Sequence, residues 1–214
     1  MDKKSDQRGD IIGRFDGLYR REQHAWGVEP SIGVAASRPF LVPGRVLDLG
    51  SGDGRNVLYL AHEGFSVTGV DIAPAAIASL KQYAVRANLG DKATGIIADI
   101  EGFQIEGQFE NIISTFTLHF LPSDAFLPVV TRIMEATTPG GVNVIEDFTR
   151  DGPLYKPDVT GHFLESGELE QLYAAQGWQV LYYHEKIVKT KARDENGNPL
   201  QQTSAAIVAK KPAL

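Results

Sequence analysis

Val46-Leu47-Asp48-Leu49-Gly50-Ser51-Gly52-Asp53-Gly54-Arg55-Asn56 joins a short apolar run to a stretch with helical spacing. An apolar run of this length suits a strand covered on both faces. The glycines let the backbone turn tightly and approach a ligand, at the edge where open α/β sheets bind cofactors. A dinucleotide fingerprint, G-x-G-x-x-G, needs its third glycine at position 55. Arg55 stands there, and the glycine comes one residue early at Gly54. Asp48, two residues before Gly50, would repel a pyrophosphate and favour a ligand that carries positive charge, such as a sulfonium or ammonium group.

Outward from this loop the same alternation repeats. Strand candidates fall at 45–50, 65–71, 94–99, 109–115 and 141–147, and helix candidates at 54–63, 74–89 and 123–136. Pro74 suits the first turn of the second helix, where its missing N–H costs nothing. Strand followed by helix, repeated, predicts a parallel sheet wound right-handedly. After a helix near 166–176, a long segment from Trp178 to Lys191 and a last run from Leu200 to Lys210 flank Asp194-Glu195-Asn196-Gly197-Asn198-Pro199. Asn-Gly between two strand patterns signals a hairpin, because both turn residues tolerate positive φ. Residues 1–10 are polar and read as loosely held, and 11–40 read as one or two helices ahead of the sheet. The expected organisation is therefore a tail and helical cap over 1–40 and a ligand-binding region over 41–214, in one structural domain.

The 214 residues include no cysteine, which excludes disulfides, a thiolate nucleophile and cysteine-ligated metal. A net charge of -6 argues against a protein that coats phosphate backbones. The first residues lack the apolar core of a secretory signal, and no apolar run approaches the ~20 residues that span a bilayer. The expectation is a cytoplasmic protein, monomer or homodimer, with a small-molecule partner and neither nucleic acid nor membrane.

Asp71 ends the second strand candidate, where a carboxylate can accept hydrogen bonds from the hydroxyls of an adenosine ribose. Ile72 follows and can lie against the adenine. Asp99 and Ile100 stand at the end of the third strand, with Asp99 placed to accept from the adenine amino group. Any one of these aspartates alone reads as a helix cap or turn residue. Three, at or near the ends of successive strands, describe a pocket for adenosine. S-adenosylmethionine combines adenosine with a sulfonium and an ammonium, and has no phosphate.

Asp48-Leu49-Gly50-Ser51-Gly52-Asp53-Gly54 resembles the first motif of the class I S-adenosylmethionine-dependent methyltransferases. The acidic strand ends, Thr138-Pro139-Gly140-Gly141 before the fifth strand, and the terminal hairpin fit the same family. The resemblance covers about 45–210. It implies a doubly wound, seven-stranded Rossmann-like sheet, mostly parallel with the last strand antiparallel, under an N-terminal helical cap. It also implies backbone contacts to the cofactor from Gly50, Ser51 and Gly52.

Within that class the chain is most similar to the tellurite-resistance, TehB-like methyltransferases. The similarity lies in 54–61, in Ser114-Thr115-Phe116-Thr117-Leu118-His119-Phe120-Leu121, in Glu165-Ser166-Gly167-Glu168-Leu169 and in the Asp194-to-Asn198 turn. It implies that Arg55 and Asn56 lie beside the cofactor carboxylate, with Thr115 and Phe116 also at the cofactor. Members of that family have a His-Arg pair before the turn and an arginine after it. This chain has Lys191-Ala192 and Pro199 there, which leaves the acceptor open.

Methyl transfer is an in-line displacement, so alignment and exclusion of water are the main tasks. A general base is needed only when the nucleophile arrives protonated. His119, after the fourth strand, is the candidate catalytic group. The cap is expected from the N-terminal helices, with Tyr19, His24 and Trp26, and from 148–165, with Phe148, Tyr155, His162 and Phe163; Arg193 supplies basic character. An aromatic wall near a sulfonium is favoured by cation–π attraction. No metal ligand set is apparent. The family-based acceptor is a chalcogen oxyanion (tellurite or selenite) or a soft thiol-like nucleophile. Alternatives are a small organic hydroxyl or amine, or a non-catalytic module that binds S-adenosylmethionine or S-adenosylhomocysteine.

Overall fold

Both faces of the strand before the glycine loop are covered, which is why it reads as a continuous apolar run. In β1 (Arg45–Leu49), Val46 joins one core and Leu47 and Leu49 join another across the sheet. The computed structural model describes residues 3–157 and 161–213. Five strands run parallel: β1, β2 (Ser66–Asp71), β3 (Ala93–Ile97), β4 (Phe109–Thr115) and β5 (Thr137–Phe148). With β6 (Gln179–Arg193) and β7 (Pro199–Lys210) the sheet has the order β3-β2-β1-β4-β5-β7-β6. Only β7 runs antiparallel to its neighbours β5 and β6, as the family resemblance implies. The order reverses between β1 and β4, the kind of switch point where α/β sheets open a crevice for ligands.

The helices divide between the faces. α2 (Ile32–Ser37), α3 (Arg55–His62) and α4 (Pro74–Arg86) pack on one side through Val34, Val57, Leu60, Ile77 and Leu80. α5 (Ser123–Ala136) and α6 (Glu168–Ala175) cover the other through Phe126, Val130, Ile133, Leu169 and Tyr173. Gly69 and Gly95 let α4 come close, because a Cβ on either would meet Leu80 at 3.1 Å. Among the described residues, no helix is long and apolar enough to cross a membrane.

Three local details differ from the sequence reading. β5 begins at Thr137 rather than at 141, because Thr137 pairs with Phe109 before a register shift in the ladder. In the terminal hairpin only Gly197 takes a positive φ, 81°. The Asp194 carboxylate accepts the amides of Asn196 and Asn198 at 2.9 and 2.8 Å, so an aspartate-capped turn followed by a left-handed glycine replaces a two-residue turn.

The third difference is at the N-terminus. Helix α1 (Lys3–Arg21) runs through most of what composition reads as a loose tail; Met1 and Asp2 lie outside the described residues. Lys, Gln and Arg are good helix formers, and the far end of α1 is anchored. Asp16 Oδ1 accepts the amide of Ala75 at 2.7 Å and so caps α4, whose own N-cap, Ala73, has no side-chain acceptor. This hydrogen bond holds the Asp16 carboxyl below its ordinary pKa.

Candidate active site

The C-terminal ends of β1 to β5 open onto a cavity of about 980 Å³. Gly50, Ser51 and Gly52 form part of its floor, with Asp71, Ile72, Asp99 and Ile100 beside them. Arg55, Asn56, Thr115 and Phe116 also line it. The residues assigned to the cofactor from sequence therefore converge, with one exception. Asp48 is fully buried beneath the loop rather than on the cavity surface.

The hydrogen bonding of the loop limits what it can hold. Gly50 and Ser51 both donate to the carbonyl of Val70, at 2.8 and 3.0 Å. The Gly52 amide donates to Asp71 Oδ2 at 2.8 Å, and the Gly54 amide to Ser51 O at 3.1 Å. A phosphate-binding loop offers free N–H groups, whereas these four amides are engaged within the fold. Any backbone contact from Gly50, Ser51 or Gly52 to a ligand then comes through carbonyl oxygens, which suit a cation or a donor group.

The side chains lean the same way. Neither oxygen of Asp48 has a hydrogen-bond partner, and burial pushes its carboxyl up to about 7, opposed by the charge of Arg55. Asp71 accepts the amides of Gly52 and Ala73, at 2.8 and 2.9 Å, and its carboxylate lines the cavity. Burial raises its pKa too, partly offset by those two hydrogen bonds. Asp99 Oδ1 accepts the amide of Glu101 at 3.0 Å. Arg55 donates to the carbonyl of Trp26 at 3.1 Å, among the acidic groups Asp48, Glu146 and Asp53. Asn56 has a bracing role: its Oδ1 accepts the Ser31 amide at 2.9 Å and its Nδ2 donates to Thr115 Oγ1 at 3.1 Å.

At the other end the wall is aromatic. Phe116 stands at φ 53°, a strained setting for a bulky residue, fixed by its amide donating to Glu146 O at 2.7 Å. Its ring lies 4.9 Å from Phe148. His119, on a single 3-10 turn (Leu118–Phe120), packs against Phe120, Phe148 and Phe163 with centroids 4.0, 4.9 and 5.6 Å away. Its Nδ1 lies 2.6 Å from Asp147 Oδ1.

The cap closes from the N-terminus. Tyr19 and Trp26 line the cavity and are joined by a bond from Trp26 Nε1 to Tyr19 Oη at 2.8 Å. Asp53 holds this segment by accepting the Ala25 amide at 2.8 Å. Across the opening, Lys191 of β6 lies 4.7 Å over the Trp26 ring and 2.9 Å from Glu22.

Four cap candidates are not brought to the cavity. His24 stacks on Tyr83 at 4.2 Å. Tyr155 packs beside Phe163, under the Arg150 guanidinium. His162 stacks on Phe126 and bonds Glu168 at 2.8 Å, tying the 161–165 segment to α6. Arg193 is exposed and donates to Gly197 O, closing the hairpin. Residues 158–160 of the expected 148–165 cap lie outside the described residues.

Sequence reasoning missed several groups. Glu146 and Asp147 lie next to the end of β5, and both are buried. Glu146 accepts the Gly33 amide at 3.2 Å and sits 3.9 Å from Lys186; burial raises its pKa. Phe15, Phe120 and Lys186 line the cavity as well. The acidic pair at the end of a strand was a usable signal, while nothing local marked Phe15 or Lys186 as part of the site.

These features fit S-adenosylmethionine. An unpartnered buried carboxylate lies beneath the floor, and a Cβ at Gly52 would come 2.6 Å from Tyr19 Oη. Asp71, which ends β2, and Asp99, which the sequence reading puts at the end of the third strand but which lies just beyond β3, line the cavity with an apolar neighbour each.

The comparisons with known proteins agree. The family described as tellurite resistance protein TehB matches residues 30–208. A protein of Haemophilus influenzae named probable S-adenosyl-L-methionine-dependent methyltransferase TehB is 30% identical over 178 residues, covering 83% of this chain and 61% of that one. The crystal structure of TehB from that organism superposes with a TM-score of 0.75 at 30% identity and the same coverage. Hemagglutinin 1 of Eikenella corrodens is 33% identical over 80% of this chain and 56% of its own length. A 2-heptyl-1-hydroxyquinolin-4(1H)-one methyltransferase of Mycobacteroides abscessus is 33% identical over 65% of this chain and 60% of its own. The chain thus spans roughly three fifths of the length of these relatives. With the family match extending from α2 into β7, the chain belongs to the TehB tellurite-resistance protein family.

Proposed function

We propose that this chain transfers a methyl group from S-adenosylmethionine to a small-molecule acceptor in the cytoplasm. The observation that carries the reading is the polarity of the loop. Its glycine amides are engaged inside the fold, and the carboxylate beneath it lacks a partner. That combination suits a cationic donor without phosphate and disfavours a dinucleotide. When bound, the donor supplies an activated methyl group on a positively charged sulfur. Asp71 would hold the ribose hydroxyls, Asp99 and Ile100 the adenine, and Arg55 the carboxylate, while Tyr19 and Trp26 exclude water.

Two acceptor classes have support. The phenylalanine-rich end favours a small organic hydroxyl or amine, in line with the hydroxyquinolone named for the Mycobacteroides relative. Lys186, Lys189 and Lys191 on the β6 side favour attraction of a chalcogen oxyanion. Incubation with labelled S-adenosylmethionine and a panel of tellurite, selenite, thiols, phenols and heteroaromatic amines tests both. Label in at least one product supports the reading. Binding of S-adenosylhomocysteine with no label transferred to any acceptor favours a sensor, and absence of binding refutes the reading.

A further inference from the structure

The aromatic end of the cavity carries one polar device. Asp147 is buried and fixed from several sides: its Oδ2 accepts the amides of Thr117 and His119, each at 3.1 Å, and its Oδ1 accepts the Phe148 amide at 2.8 Å. His119 Nδ1 meets the same Oδ1 at 2.6 Å. An ionised carboxylate only accepts hydrogen bonds, so this contact assigns the proton to Nδ1 and leaves the lone pair on Nε2. The ring lines the cavity, and its surroundings are Phe120, Phe148 and Phe163. A soft chalcogen nucleophile needs no base, and a compact oxyanion gains nothing from phenyl faces. A flat ring gains from them, since offset and edge-on aromatic pairs are favourable beyond burial.

We propose that His119, oriented by Asp147, is the general base for an aromatic hydroxyl acceptor lodged among Phe116, Phe120, Phe148 and Phe163. The proposal rests on the methyltransferase reading above. Nε2 of His119 takes the hydroxyl proton as the acceptor oxygen forms its bond to the methyl carbon. The carbon–sulfur bond breaks, and its electron pair stays on sulfur as a neutral thioether. The imidazolium then releases its proton to solvent, so one positive charge arrives on sulfur and one leaves as a proton. Asp147 touches neither reactant and is a positioning residue.

Two phenols separate base catalysis from packing. β-Naphthol is protonated at mildly alkaline pH, whereas para-nitrophenol is already an anion. The wild type should methylate both. His119→Gln should keep its affinity for S-adenosylhomocysteine by calorimetry and lose about 10²–10⁴-fold in kcat on β-naphthol, the range of general-base catalysis. On para-nitrophenol it should lose only a few-fold, and imidazole should restore part of the β-naphthol activity of His119→Gly. Asp147→Asn should lose less than His119→Gln on β-naphthol, with kcat affected more than KM. Equal losses on both phenols, or none, would overturn the proposal. So would a wild type that binds S-adenosylhomocysteine but leaves both phenols unmethylated. A wild type that does not bind S-adenosylhomocysteine fails earlier and overturns the methyltransferase reading itself.

Discussion

The two ends of the cavity are built in different ways. The β1–β3 end is made of backbone turns and carboxylates at or just beyond strand ends, and its geometry comes from one contiguous loop, the short β2–α4 junction and the start of the β3–β4 connection. The β4–β5 end is made of side chains brought together from distant parts of the chain. Phe15 comes from α1, His119 from the turn after β4, and Asp147 and Phe148 from the end of β5. Such a division lets a family keep one donor while the acceptor changes, because substitutions at the aromatic end need not disturb the loop.

The largest effect should come from forcing a side chain into the loop. Gly52 stands at φ 55°, and an added Cβ would meet Tyr19 Oη at 2.6 Å. Backbone strain and collision together should reduce S-adenosylhomocysteine affinity of Gly52→Val by more than about 100-fold. Calorimetry on a variant shown to be folded by its thermal transition checks this, and retained affinity would dissolve the distinction between the two ends.

Asp71→Ala comes next. It strands the amides of Gly52 and Ala73, and should weaken donor binding by ~1–3 kcal/mol while leaving para-nitrophenol affinity in the donor-saturated protein unchanged. A loss of similar size in both ligands would mean that the ends are coupled.

Asp48 sharpens the comparison through pH. Its carboxyl is raised by burial to about 7, above its unfolded value of ~3.9. Between those values the folded state binds the proton more tightly, so its contribution to stability falls as pH rises through that window. Asp48→Asn should flatten the dependence of melting temperature on pH and raise stability above neutrality. It should also weaken binding of S-adenosylmethionine, whose positive charge it no longer meets. An unchanged pH profile would show that Asp48 is not the buried acid described here.

The smallest effect is expected at the hairpin. Lys191→Ala removes an exposed ion pair with Glu22 and the contact over Trp26, together worth about 1 kcal/mol or less. Donor affinity should stay within a few-fold while KM for the acceptor shifts; thermal melts and steady-state kinetics read the two quantities.

This contrast also explains how much could be read in advance. The order of strands and helices and the three aspartates near strand ends were legible, because each is encoded over a few adjacent residues. Asn56 was placed at the site, but its bracing of Ser31 and Thr115 depends on partners 25 and 59 residues away. Asp147 belongs to an acidic pair visible at a strand end, but its partner His119 lies 28 residues away and no local pattern links the two. His162 and Tyr155 looked like cap residues because aromatics cluster there, yet stacking on Phe126 and packing beside Phe163 direct them into the fold. The N-terminal helix was obscured by its polar first half, since its anchoring is confined to the far end, where Asp16 caps α4 and Phe15, Leu18 and Tyr19 pack with Ala73, Ala75 and Ala76.

The most direct test is a competition titration, with the protein offered S-adenosylhomocysteine in the presence of excess NAD. Saturable one-site binding of the thioether, indifferent to NAD, is the predicted result. Binding of NAD, with no affinity for the thioether, would contradict the assignment of the loop to a cationic donor without phosphate.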